Sequence, residues 1–433
     1  MTSIKNASAF DVVWNYIITS FGVVSDYVAA KSKSLTCILF MASCLLFSSC
    51  AQKQKEQPKE MKWSEKMAQS EMERFPEAWM IEKAKSPRWG YTHGCVSKAM
   101  LDLFDAYGDS TYFYYAKGYA DSLITEDGTI KTYSIDKFNI DNINPGKILF
   151  RLYKATGDEK YKLAIDTLMT QMKTHPRTSE GGFWHKKIYP HQMWLDGVYM
   201  ASPFLCEYAR DFNHPELYGE VVNEIKLMAK YAYDPATGLF YHGWDESREQ
   251  RWANKETGLS SNFWSRGIGW FAMALVDVLD FLPENQEGRE DIIALTDSVA
   301  KGICRWQDAN SGVWYQVTNM GDKEGNYLES SGSCMFVSFL YKAIEKGYIS
   351  KDYLKCADKG FDGIIKEFIL EEEDGTISIT NCCSVAGLGG DKRYRDGSFE
   401  YYISEPVIIN DPKSVAPFIW AAMGNENKLR VKN

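Results

Sequence analysis

The sequence predicts an all-α protein, an (α/α)6 barrel of six helical hairpins with long loops and short strands on one face. Three observations carry that expectation. Twelve helical segments follow one another, alternating between charged-faced and richly apolar. The links alternate as well, short after an apolar segment and long after a charged one. Five of the long links share a motif, glycine followed by alternating β-formers, which reads as a turn into a short strand.

The elements follow in order. A charged segment at roughly 64–84 precedes the first apolar one, "GCVSKAMLDLFDAYG" (94–108). "GDSTY" turns it at once into 111–125, and the long link 126–143 carries "EDGTIKTY". "NPGKILFRLYKATG" (144–157) turns through "GDEKY" into 159–173, and the link 174–193 carries "EGGFWHKK". "DGVYMASPFLCEYARDF" (196–212) passes through "NHPELY" into 215–232, followed by 233–262 with "ATGLFYHG". "RGIGWFAMALVDVLDFL" (266–282) passes through "PENQEGRED" into 288–306, followed by 307–330 with "NSGVWYQV". "SGSCMFVSFLYKAIEKG" (331–347) passes through "GYISKDY" into 351–369, followed by 370–413 with "EDGTISIT". "SVAPFIWAAMG" (414–424) completes the sixth pair.

Small residues near the starts of the apolar segments let backbones approach closely, so these belong inside and the charged segments outside. Every long link then lies on one face, at the N-termini of the inner helices, where a rigid scaffold presents functional loops. An open solenoid would need end repeats with polar outer faces, and the sequence shows none.

Composition narrows the function. The chain has 433 residues and a net charge of -9, with no long basic run. That argues against nucleic acid as a partner, since phosphate neutralisation needs clustered Lys and Arg. Aromatics are plentiful, with 13 Trp, 26 Tyr and 22 Phe; many belong to the core, and an excess of Trp and Tyr is also what sugar-binding clefts use, because pyranose faces stack on aromatic faces. Ten cysteines without a C-x-x-C pair, and only six histidines, argue against a disulfide framework, a zinc site or any other metal cluster. Neither metal nor cofactor is expected.

The N-terminal stretch "KSKSLTCILFMASCLLFSSC" joins a basic flank to an apolar run too short to span a bilayer. Ser48-Ser49-Cys50 resembles a bacterial lipobox, with Cys50 as the lipidated residue, and "AQKQKEQPKEMKW" reads as a polar tether. The expected division is a signal and tether segment, 1–59, and a catalytic barrel, 60–433. The expected product is an exported lipoprotein at the periplasm or cell surface, touching membrane only through its lipid anchor.

The starts of the inner helices hold the candidate site. The first offers Arg88, Trp89, Tyr91 and His93; the second Asp141, Asn142 and Asn144; the third Trp194 and Asp196, with Trp184, His185 and Lys186 upstream. The fourth offers Trp264 and Arg266, with His242, Trp244 and Asp245 in its loop; the fifth Glu329, Ser330 and Ser331; the sixth Arg395, Asp396 and Tyr401. Each has a plainer reading. Asp141 and Asp196 suit helix N-caps, Arg266 suits a structural ion pair, and His185 and His242 suit satisfied packing. Convergence from different hairpins on one face favours the functional reading. Two carboxylates in one cleft point to glycoside chemistry, and Arg with Lys beside them to an anionic sugar. The residues alone stop at a uronic-acid-like saccharide.

Several long motifs in order, "NIDNINPGKILFRLY", "FWHKK", "HQMWLDGVYMASPF", "NFWSRGIGWFAMALVD", "CSVAGLGG" and "YRDGSFEYYISEP", resemble the unsaturated rhamnogalacturonyl hydrolases, glycoside hydrolase family 105. The resemblance runs from about 65 to the C-terminus. It implies an (α/α)6 barrel that removes a 4,5-unsaturated uronic acid from the non-reducing end of lyase-generated oligosaccharides. Asp196 takes the position of the general acid/base and Asp141 that of the second cleft carboxylate. Trp194, His185, Lys186, His242, Trp264 and Arg266 fall where such enzymes bind the unsaturated sugar and its aglycone. The implied chemistry is hydration of a vinyl ether, with Asp196 as acid and then base, and therefore with a raised pKa. An unsaturated glucuronyl hydrolase with another aglycone, a lyase or epimerase on the same barrel, and a non-catalytic glycan-binding lipoprotein are the alternatives.

Overall fold

The computed structural model describes residues 61–390 and 393–431. Cys50 and the 1–59 segment lie outside the described residues. Helices α1 (Trp63–Arg74), α3 (Ser110–Leu123), α5 (Glu159–Thr174), α7 (Glu216–Ala232), α9 (Arg289–Arg305) and α11 (Leu354–Phe368) match the charged segments. Helices α2 (Tyr91–Tyr107), α4 (Lys147–Thr156), α6 (Leu195–Phe212), α8 (Ser265–Leu279), α10 (Ser330–Glu345) and α13 (Pro412–Val431) match the apolar ones. One short helix, α12 (Phe399–Ser404), lies in the last long link. Neighbouring inner helices pack in the order α2, α4, α6, α8, α10, α13 and back to α2, with the 3-10 segment Ile140–Gly146 joining α2, α4 and α6. The ring closes, and the fold is the (α/α)6 barrel that the alternation predicts.

Burial separates the two rings. Every residue of α8 is buried, whereas its outer partner α9 buries one face through Ile292, Thr296, Val299, Ala300, Gly302 and Ile303. That is the i, i+3, i+4 stripe of a helix packed on one side only. Inner helices meet at small residues. A Cβ on Gly332 of α10 would lie 2.7 Å from the Ser265 Cβ of α8, and one on Gly94 of α2 would lie 2.6 Å from the Pro145 Cα.

The short links have a local cause. Gly108 and Gly157 close α2 and α4 in the left-handed region, which costs glycine nothing. The next residues, Asp109 and Asp158, accept hydrogen bonds from the amides of Thr111 and Lys160 and start the outer helices. In the long links, Gly128, Gly181, Gly238, Gly312 and Gly375 all have positive φ. The repeated turn is therefore real, but its strands are uneven. Paired strands form between β2 (Tyr233–Asp234) and β3 (Leu239–Phe240), and between β5 (Ile369–Glu371) and β6 (Ile377–Ile379). Elsewhere the motif makes isolated bridges such as Ile124 to Ile130 and Arg177 to Phe183.

Two expectations are corrected. The segment expected at 64–84 stops at Arg74, because Pro76 disfavours helix at Phe75; Ala78–Lys83 is a separate 3-10 turn. And although no disulfide framework was expected, Cys304 of α9 and Cys356 of α11 form one disulfide. Their separation of 52 residues carries no recognisable spacing signal.

Candidate active site

The second and third long links are stitched together at the mouth of the barrel. Strand β1 (Gln192–Trp194) pairs antiparallel with β4 (Gly243–Asp245), placing Trp194 opposite Gly243. The Leu195 amide donates to the His242 carbonyl at 3.0 Å. His242 is thereby fixed beside the first turn of α6, where Asp196 sits. The N-cap of α6 is Trp194, not Asp196, and no side chain caps it. Asp196 therefore lies within the positive end of a helix dipole with its carboxylate free for something else.

That carboxylate faces His242. Asp196 Oδ2 lies 3.3 Å from His242 Nε2. The alignment falls short of a hydrogen bond, and both atoms are buried without a partner. Burial pushes the Asp196 carboxyl upward, but His242, and more weakly His185, outweigh it and hold it below the usual aspartate range. This corrects the expected raised value, for which aromatic walls and Asp141 were to be responsible.

Asp141 is not an N-cap either. The Asn139 side chain caps that turn, accepting from the Asp141 amide at 3.1 Å. Asp141 Oδ2 pairs with Lys186 Nζ at 2.6 Å, and its Oδ1 lies 3.4 Å from His185 Nε2. A bridge between Asn139 and Lys186, and the Ile140 amide donating to the His185 carbonyl, hold the two loops in register. His185 stacks on Trp194 with ring centres 4.2 Å apart. Burial lowers its pKa to about 4, against the pull of Asp141, so it is a neutral imidazole at neutral pH. His185 senses the charge of both Asp141 and Asp196 and thus links the two carboxylates.

The other expected residues divide. Trp194 is nearly covered, stacked between His185 and Tyr189. Trp264 is buried behind His242, its indole N–H donating to Gln316 Oε1. Arg266 is only 1 % exposed. One arm of its guanidinium donates to the Cys383 carbonyl and to Ser331 Oγ, with Glu329 Oε1 at 3.9 Å, while its Nε is buried without a partner. Trp264 and Arg266 were expected to line the cleft. The structure shows both buried in the wall behind it, because Glu329, which caps α10, draws the guanidinium in. Lys186, at 23 % side-chain exposure, is the accessible cation beside the carboxylates.

Further candidates on this face serve the loops. Asp245 accepts from the Ser247 and Gln250 amides. His93 is buried against Tyr119. Arg395 donates to the Tyr189 hydroxyl and the Leu388 carbonyl, lacing two loops together. Sequence reasoning missed Tyr402, whose hydroxyl lies 2.7 Å from His242 Nδ1. It singled out Tyr401 instead, whose hydroxyl accepts from the Gly387 amide. Two adjacent tyrosines carry no signal of which one turns inward. Among the described residues no group of three or more His, Cys, Asp and Glu is placed to hold a metal ion. The arrangement offers one carboxylate paired with a lysine and another within reach of an imidazole, among aromatic side chains.

Comparison with known proteins agrees with this picture. The family described as Glycosyl Hydrolase Family 88 matches residues 63–428. A solved C. acetobutylicum glycoside hydrolase from family 105 is 41% identical, covers 85% of this chain and all of its own, and superposes with a TM-score of 0.81. Protein Atu3128 of Agrobacterium fabrum is 37% identical over 51% of this chain and 96% of its own length. The unsaturated rhamnogalacturonyl hydrolase YesR of Bacillus subtilis is 25% identical over 67% of this chain and 78% of its own.

Proposed function

The chain belongs to the family 88/105 glycoside hydrolases, and on that premise we propose that it releases a 4,5-unsaturated uronic acid from the non-reducing end of lyase-generated oligosaccharides, rhamnogalacturonan or pectin fragments first among them. The observation that carries this reading is the pair of differently held carboxylates at the mouth. Asp141 is tied to Lys186, while Asp196 faces His242 with an unpartnered oxygen. The likeness to YesR supports the aglycone.

The substrate is a vinyl ether, and the reaction is its hydration. Asp196, protonated in the complex, donates its proton to C4, and positive charge develops at C5 and the ring oxygen. The resulting carboxylate accepts a proton from water as the water oxygen bonds to C5. The hemiketal so formed opens and expels the aglycone. In the free enzyme Asp196 is held below the usual range. A bound uronate brings a second negative charge and displaces water, and both raise the pKa of a neighbouring carboxyl. Acid character is thus acquired on binding. Lys186, and Arg266 from behind, supply positive charge toward the uronate carboxylate. Trp194 and His185 form one side of the site, and His242, backed by the buried Trp264, the other.

The chain is further proposed to act outside the cytoplasm as a lipoprotein. The basic, apolar and Cys50 pattern supports this, as does the Cys304–Cys356 disulfide, a bond that persists in oxidising compartments. Residues 1–59 would then be signal and tether, and 60–433 the enzyme. The deciding experiment is a panel of lyase-generated oligosaccharides followed by the absorbance of the conjugated C=C. Loss of absorbance with release of the shortened saccharide is expected. A protein that binds these sugars without consuming the double bond would be a glycan-binding lipoprotein, and one that creates the double bond would be a lyase.

A further inference from the structure

His242 has two ring nitrogens with different neighbours. Nε2 faces Asp196 at 3.3 Å, and Nδ1 lies 2.7 Å from the Tyr402 hydroxyl. Tyr402 arrives from α12, 160 residues along the chain, and is fully buried. Its position is set independently of the imidazole. The Tyr402 carbonyl accepts from Gln316 Nε2 at 3.1 Å, and Gln316 Oε1 accepts in turn from Trp264 Nε1. The phenol ring lies parallel to Trp264, with an interplanar angle of 18°.

A phenol carries one proton, and when buried it must donate it. Among the described residues the Tyr402 hydroxyl has one hydrogen-bond partner, His242 Nδ1. Burial keeps the phenol far from ionising, so it donates and Nδ1 accepts. The imidazole proton then sits on Nε2, the nitrogen 3.3 Å from Asp196 Oδ2. The opposite tautomer would leave the phenol proton without an acceptor and set a lone pair against the carboxylate.

We propose that Tyr402 is a positioning residue: by occupying His242 Nδ1 it fixes the imidazole as the Nε2–H tautomer, so that an N–H meets Asp196 as it becomes a carboxylate. This rests on the reading of Asp196 as acid and then base. Its consequence is directional. An N–H at Nε2 stabilises the aspartate left behind by proton donation to C4, whereas a lone pair at Nε2 would hold the proton on Asp196 and oppose the donation. Tyr402 therefore acts through His242 on the step in which Asp196 gives up its proton.

The charged and titratable neighbours are shared by wild type and variant. His185 faces Asp196, with Asp141 and Lys186 beyond it. Tyr401, Cys383 and Asp396 lie around the Tyr402 hydroxyl. A change in pH profile on removing one hydroxyl thus reports the Tyr402–His242 contact. In Tyr402→Phe the basic limb of kcat, where Asp196 loses its proton, is expected to move up by about one pH unit. kcat should fall roughly tenfold at the wild-type optimum, with KM nearly unchanged. A fall in kcat with an unmoved limb would make Tyr402 a packing residue and overturn the proposal. The second measurement requires neither turnover nor a variant. Nitrogen-15 shifts of His242 in the intact protein should show the proton on Nε2, and a proton on Nδ1 overturns the proposal. Persistence of the Nε2–H tautomer in a folded Tyr402→Phe variant overturns it as well. Failure to consume unsaturated uronides would refute the proposed function, and the tautomer measurement would still decide the role of Tyr402.

Discussion

Asp196→Asn tests the proposed chemistry most directly. The substitution keeps shape and polarity and removes the acid. No second acid can take over, because Asp141 is held as the partner of Lys186 at 2.6 Å and His185 is a neutral imidazole at neutral pH, with its pKa at about 4. The full cost of losing a general acid is therefore expected, on the order of 10² to 10⁴ in kcat, or about 3 to 5 kcal/mol of transition-state stabilisation. The fold should persist, since Asp196 caps no helix and Asn can still meet the His242 N–H. A pH signature accompanies this. The folded pKa of Asp196 is depressed, so its ionised form contributes stability above the unfolded value. That contribution is lost as pH falls through the folded value. The difference in Tm between wild type and variant should accordingly shrink on acidification below about pH 4. The assay is the decay of the conjugated C=C absorbance, with thermal melts at several pH values. Turnover within tenfold of wild type in a folded variant would refute Asp196 as the acid.

Replacing Lys186 with Met should raise KM for the uronate far more than for its methyl ester; equal effects on both would assign the lysine to holding Asp141 alone. Arg266→Ala removes a buried charge facing Glu329 and is expected to cost about 3 to 5 kcal/mol in a denaturant melt, beyond any effect on catalysis. Adding a methyl at Gly94 places it 2.6 Å from Pro145 Cα. Gly94→Ala should therefore destabilise by about 1 to 3 kcal/mol and, by shifting the turn that carries Asp141, lower kcat/KM; an unchanged Tm would show that the turn can yield. Breaking the Cys304–Cys356 bond frees a loop with a sequence separation of 52, for which chain entropy gives about 4 kcal/mol, read as a lower denaturation midpoint of the Cys304→Ser, Cys356→Ser double variant. Turnover in labelled water should place solvent deuterium at C4 and solvent oxygen at C5 of the released sugar; oxygen at the anomeric carbon would mean conventional glycoside cleavage.

What the sequence made legible, and what it hid, divides along physical lines. Helix order, hairpin pairing and the functional face are local properties. A Gly–Asp pair at 108–109 or 157–158 closes one helix and opens the next through groups a few residues apart. The face of the candidate site follows, because long links between such hairpins all emerge at one end. Positions along the chain therefore brought Asp141, His185, Lys186, Asp196 and His242 together correctly. Side-chain direction was not legible. Arg266 belongs to an inner helix start like Asp196, yet it turns inward, because Glu329, Ser331 and Cys383, from two other links, offer acceptors there. Tyr402 and Tyr401 are neighbours, and only the packing of α12 decides that the former meets His242 and the latter the Gly387 amide. The protonation of Asp196 shows the same limit. Burial was foreseeable from the apolar helix it begins, but the imidazole that outweighs burial lies 46 positions away in sequence, from the arithmetic 242 − 196. It is placed there by the β1–β4 pairing. The state of this carboxyl is thus set by contacts between links, and on the proposed function those same contacts, Tyr402 to His242 to Asp196, would let its proton affinity change when a charged sugar binds.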